Sequence, residues 1–149
     1  MCGIIGIHNN KEAATLAYMG LYAQQHRGQE GAGVVSSDGK ELHRHMGQGL
    51  VSDVFSNPEV FDSLVGDSAI GHVRYSTTGH SDAENVGPLT FNMGDYSLSI
   101  AHNGNLVNID GIRKKLQDDS ALFQTSTGTE IIIHLLAREK GNTLAEKLG

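Results

Sequence analysis

Cys2 is the only cysteine among 149 residues, and it directly follows the initiator methionine. Because its side chain is small, removal of Met1 is expected, leaving a thiol and a free α-amine on one residue. An α-amine has a reference pKa of about 7.7–8.0 and a thiol about 8.5. Nucleophile and base would then sit together and work near neutral pH, as in N-terminal threonine catalysis. By residue type alone a lone cysteine is more often a small buried hydrophobe. The rest of the chain has to decide between these readings.

Three polar, glycine-bearing stretches follow segments expected to be rigid: Arg27-Gly28-Gln29, residues 74–79 and residues 102–105. Loops on a rigid scaffold are where sites form. Asn103-Gly104 could supply a side-chain amide and an approachable backbone N–H, the two donors an oxyanion hole needs; the alternative is an Asn-Gly turn. Arg74, at a predicted strand end, could clamp a carboxylate bidentately or belong to a structural ion pair. His43 and His45 would point to one side of a strand, but no third ligand is evident, so a metal pair is disfavoured. No phosphate loop, dinucleotide fingerprint or HExxH motif occurs.

The elements that must position these residues follow from periodicity. Residues 3–8 form a short apolar run that predicts a buried strand starting at Cys2. Ala13, Leu16, Ala17, Gly20, Leu21 and Gln24 then share one helical face rich in small residues, ending at Gln25-His26-Arg27-Gly28. Residues 31–36 and 41–46 predict a hairpin turning at Asp38-Gly39. Short helical pieces are expected at 51–55 and 58–64, and a strand at 68–75 leads into a polar loop. Residues 88–93 and 96–102 predict a second hairpin around Gly94-Asp95. A helix is expected over 108–117, a short extended piece at 123–125, and a capping box at Thr127 and Glu130 opening a helix over 130–140. Its apolar face would carry Ile131, Ile132, Leu135 and Leu136. A second capping box, Thr143 with Glu146, stands close to the last residue, Gly149. The order is α+β, and the last element looks cut short, so truncation on the C-terminal side is expected.

Composition narrows the partners. Net charge is −6, which argues against non-specific binding to nucleic acid or anionic membranes. One cysteine excludes an intrachain disulfide framework and any cysteine-rich metal site. No secretory-type leader and no apolar run of spanning length is visible, so a cytoplasmic protein of one domain is the expectation.

Taken together and in order, MCGIIGI, HRGQEGAG, GHVRYSTTG, AHNGNL and FQTSTGTEIIIHL resemble the glutaminase domain of class II glutamine amidotransferases. The similarity runs the length of the chain, and the Tyr75–Gly79 stretch after Arg74 looks most like the amidophosphoribosyltransferases. The hexosamine-phosphate synthase branch usually carries a tryptophan there. The resemblance implies an N-terminal nucleophile hydrolase fold, a four-layer αββα sandwich, here with residues 1–149 as its N-terminal portion and the phosphoribosyltransferase domain absent. It implies that Cys2 attacks the side-chain amide of glutamine with its own α-amine as base. Asn103 and the Gly104 N–H would stabilise the oxyanion, and Arg74 would hold the substrate α-carboxylate with Thr77 nearby. Arg27 would order the surroundings of the nucleophile. Ammonia would pass to a phosphoribosyl diphosphate site on a second domain, in de novo purine biosynthesis, with homo-oligomerisation of the full-length protein. No cofactor is expected in this chain; magnesium, or an iron–sulfur cluster present in some relatives, would belong to missing residues.

One departure bears on the substrate. The family's helix-opening motif usually reads Ser-Asp-Thr-Glu, its aspartate binding the substrate α-ammonium, and here Gly128 stands at that position. Losing a charge-assisted contact costs about 1.5–3 kcal/mol of binding. Two alternatives therefore stand beside the glutaminase reading: a non-catalytic fragment or subunit acting by association, and a glutaminase serving another acceptor such as a hexosamine phosphate or aspartate.

Overall fold

The computed structural model describes residues 1–75, 83–141 and 143–148. They fall into two compact units, Met1–Gly104 and Asn105–Gly149.

The first unit is organised on a four-stranded antiparallel sheet: β1 (Gly3–Ile7), β2 (Gly31–Ser37), β3 (Leu42–Gln48) and β4 (Ser68–Arg74), in the order β1-β4-β2-β3. The registers Gly3↔Val73, Gly31↔Arg74 and Gly31↔Gln48 bring the starts of β1 and β2 to the ends of β3 and β4. Three segments distant in sequence therefore meet at one sheet end. The predicted strands and the hairpin between β2 and β3 stand where periodicity placed them.

One face of the sheet is covered by α1 (Ala13–Ala23), whose Ala13, Ala14, Ala17 and Leu21 are buried. Gly20 lets the helix approach closely, since a Cβ there would run into Ile5 Cδ1. Ala32, Val34, Ala69 and Val73 from the strands, with Val51 and Phe55 from α2 (Val51–Val54) and its end, complete this core. Each fully buried valine or leucine contributes about 1.5–3 kcal/mol. Tyr18, Phe55 and Phe61 pack mutually, so nearly half of the chain's eight Phe and Tyr rings form one cluster. Phe61 comes from α3 (Val60–Ser63).

On the opposite face Val86 packs on Gly31, and the Gly87 carbonyl stands 2.5 Å from where a Cβ of Gly33 would be. This segment leads through the buried Pro88 into the two-stranded sheet of β5 (Leu89–Asn92) and β6 (Ser97–Ile100). The stacking of helix, sheet and second-sheet segment agrees with the sandwich expected from the resemblance.

In the second unit, α4 (Ile109–Asp118), α5 (Gly128–Arg138) and α6 (Leu144–Leu148) are helical. Two expectations are corrected here. Thr127 makes no side-chain cap, and Glu130 does not reach back to it. The Glu130 carboxylate is fully buried and accepts from Gln124 N–H (2.8 Å), Thr125 N–H (2.7 Å) and Thr125 Oγ1 (2.8 Å). The irregular stretch before the helix carries unpaired amides, and a buried carboxylate is the acceptor that satisfies them. The apolar face is also rotated: Ile131, Ile133 and Leu136 are buried while Leu135 is 46% exposed. The second capping box forms reciprocally, Glu146 N–H to Thr143 Oγ1 and Thr143 N–H to Glu146 Oε2.

Candidate active site

The candidate residues that the structure brings together lie at the end of the sheet where β1 begins and β4 finishes. Cys2 precedes β1 and is half-buried. Its Sγ accepts from Tyr75 N–H at 3.4 Å and lies 3.6 Å from Tyr75 O, within reach of S–H donation. The thiol thus extends the β1–β4 ladder one step beyond its last backbone pair. Its position is set by strand register, which is stiff, and not by a free loop.

Arg27 anchors the same residue from the other side. After α1 the chain makes a short 3-10 turn, Gln25–Arg27, which aims the arginine back so that Nε donates to Cys2 O at 3.1 Å. The turn is itself fixed: Gln25 Nε2 donates to Gly28 O and its Oε1 accepts from Val51 N–H. Gly28 passes flat against the end of β4. A Cβ there would stand 2.5 Å from Arg74 O and 2.6 Å from Arg74 C, so the contact between backbones excludes any side chain. The next link is Glu30 N–H to Arg74 O at 3.2 Å.

Arg74 combines both of its sequence readings. Nε lies 3.7 Å from Glu30 Oε2, close enough for attraction but beyond hydrogen-bond distance, and Nη1 donates to Asn85 O at 2.9 Å. The guanidinium is therefore held in place by structural partners, with Nη2 left over for a ligand. Thr77 lies outside the described residues.

Asn103 and Gly104 are exposed on the irregular stretch after β6, in the same unit as Cys2 and Arg74. His102 precedes them and folds over Gly104, its Nε2 2.9 Å from where a Cβ would sit. His102 is also close enough to His72 on β4 for its charge to depress the pKa of that ring. The Asn-Gly pair and the Arg74 end of β4 thus flank a common histidine.

Sequence reasoning missed His72, Glu30 and Tyr75. His72 was findable, since it stands two residues before Arg74 on a strand and must leave the sheet on the same face. Glu30, a carboxylate inside a glycine-rich run beside two arginine-bearing segments, carried a weaker signal. The role of Tyr75 is played by its backbone, which no residue type announces. His43 and His45 have structural surroundings: His45 Nε2 is 2.8 Å from Val54 O, and His43 Nε2 is 3.7 Å from Asp38 Oδ2. Among the described residues no group of three or more potential ligands gathers, and no helix is long and apolar enough to cross a membrane.

Known proteins share both the sequence and this geometry. Residues 60–149 match the family model described as a glutamine amidotransferase domain. The chain is 45% identical over 140 residues to an amidophosphoribosyltransferase of Lacticaseibacillus casei, covering 94% of this chain and 72% of that protein. It is 47% identical over 148 residues to the amidophosphoribosyltransferase of Bacillus subtilis (strain 168), where it spans 99% of itself but only 31% of the relative. The solved structure described as the allosteric regulatory enzyme of purine biosynthesis superposes with a TM-score of 0.92 at 45% identity, over 99% of this chain and 32% of that one. The B. subtilis glutamine phosphoribosylpyrophosphate amidotransferase complexed with ADP and GMP gives 0.90 at 44% identity, over 99% and 31%. Sequence, fold and the placement of the terminal cysteine agree: this chain belongs to the glutamine amidotransferase domain family, within the amidophosphoribosyltransferases.

Proposed function

We propose that this chain hydrolyses the side-chain amide of glutamine through a thioester on Cys2, and that the ammonia serves phosphoribosylamine formation in purine biosynthesis. The observation that carries the reading is the fixation of Cys2. Strand register, the Tyr75 backbone and Arg27 hold one thiol beside a guanidinium that is itself held by Glu30 and Asn85. Preorganisation of this kind is what acyl transfer needs.

In the reaction the Cys2 α-amine takes the thiol proton as Sγ bonds to the amide carbon. The carbonyl π-electrons move to oxygen, where Asn103 and the Gly104 N–H receive the charge. The α-amine returns the proton to the departing nitrogen, ammonia leaves, and water cleaves the thioester to release glutamate and restore the thiol. Arg74 binds the substrate α-carboxylate, with Thr77 beside it. With Met1 attached the Cys2 nitrogen is an amide and has no basic lone pair, so activity requires its removal.

The chain spans about a third of the length of most of the relatives above. Transfer of ammonia to phosphoribosyl diphosphate, on a further domain of a cytoplasmic homo-oligomer, is therefore part of the proposal. Gly128 favours a second reading, association without catalysis, because it removes the acid that the family uses on the substrate α-ammonium. Mass spectrometry of the intact protein, before and after 6-diazo-5-oxo-norleucine, separates the two. Loss of Met1 with one adduct on Cys2 is expected. A chain that keeps Met1 and takes up no adduct is not a glutaminase.

A further inference from the structure

His72 stands opposite Ile4 of β1 and Gly33 of β2, in the middle of the sheet and on the face that carries Arg74. It is 6% exposed, and neither ring nitrogen has a hydrogen-bond partner among the described residues. An unpartnered buried polar group costs stability that an apolar residue would spare. Gly87 closes over the ring, a Cβ there standing 2.9 Å from His72 Nδ1. Burial, then the charge of Arg74 and then that of His102, drive the His72 pKa from 6.5 down to about 4. The Gly87 backbone opposes this weakly, without the geometry of a full hydrogen bond. The charged and titratable groups around the ring are thus Arg74 along its own strand, with Glu30 paired to it ahead of β2, and His102 beyond β6.

Resting on the glutaminase reading above, we propose that His72 is a positioning residue whose neutral ring sets the distance between Arg74, the carboxylate clamp, and Asn103-Gly104, the oxyanion donors. The ring meets the clamp through β4 and the donors through His102, which lies on Gly104. Glutamine has a fixed length between its α-carboxylate and its side-chain amide, so this spacing decides whether the amide carbon reaches Cys2. A neutral imidazole presents one donor and one acceptor nitrogen to its two flanking residues. A phenyl ring fills similar space and presents neither.

The test is the rate of Cys2 labelling by 6-diazo-5-oxo-norleucine divided by its rate with iodoacetamide, measured on the full chain after Met1 removal. Iodoacetamide needs the thiol but neither the clamp nor the donors. His72→Phe is expected to lower the ratio about tenfold or more while the melting temperature holds or rises. His72→Leu carries the same expectation if the phenylalanine variant does not fold. His72→Gln keeps a donor and an acceptor, and its ratio is expected to return toward the wild-type value. An unchanged ratio in a folded apolar variant overturns the inference, as does a glutamine variant no better than the apolar ones. A wild-type protein that reacts with iodoacetamide and not with the glutamine analogue refutes the glutaminase reading itself, and the inference with it.

Discussion

The same four strands finish in two different ways at the two ends of their sheet. At the end carrying Ile7, Ser37 and Ser68, backbone closes on backbone. Asp67 N–H donates to Ser37 O at 3.1 Å, Asn10 N–H to Asp67 O at 2.9 Å, and Ser36 Oγ to Val65 O at 2.9 Å. The nearby Asp38 serves its own turn, its carboxyl held below the usual range by the Glu41 and Lys40 N–H groups. At the other end charged side chains do the holding: Arg27 on the Cys2 carbonyl, and Arg74 between Glu30 and the Asn85 carbonyl. Turns of the first kind are the cheaper solution, because no charge leaves water. The second kind is expected where the cation has a further task, which is why perturbed and partly buried charges mark sites.

The comparison breaks most visibly at two glycines. Gly66 has φ +120, and a Cβ there would run into the Ser37 carbonyl. Gly66→Ala is expected to destabilise the fold by about 3–4 kcal/mol through backbone strain, a fall of roughly 10 °C in melting temperature. The labelling ratio of the molecules still folded should match wild type. Thermal melts with labelling below the transition check both halves. If the ratio falls as well, the turn end is not independent of the site.

Gly28→Ala is the matching change at the other end. The added methyl would meet the Arg74 carbonyl at 2.5 Å and push the end of β4 away from Cys2. A displacement near 1 Å in such a constellation costs about a hundredfold in rate. Glutamine-analogue labelling is expected to slow by that order, with a smaller loss of stability than at Gly66. The reverse pattern, stability lost and labelling kept, would mean that Gly28 serves only the fold.

Most of the scaffold was legible because its periodicities are local. The apolar run of β1, the small-residue face of α1 and the Asp38-Gly39 turn each state their structure within a few residues. Cys2, Arg27 and Arg74 could be named as candidates from residue type and motif order. What was illegible depends on burial. Thr127 with Glu130 and Thr143 with Glu146 have the same spacing. Only the exposed pair forms the reciprocal box, because the buried carboxylate is claimed by amides at 124 and 125. His72 was hidden for the same reason, since nothing in GHVRY says which face will be sealed by Gly87.

Burial at the site end also has a pH signature that the turn end lacks. His72 titrates at about 4 in the folded chain, against 6.5 for the free side chain. Between these values the unfolded chain binds a proton that the folded chain does not, so stability falls as pH drops below 6.5 and levels off below about 4. From pH 7 to pH 5 this group alone should remove about 2 kcal/mol. Urea unfolding of wild type and His72→Phe at the two pH values isolates it: the wild-type loss should exceed that of the variant by this amount. A difference near zero would mean that the ring is hydrated in the folded state, and the contrast between a sealed site end and an open turn end would fail at His72.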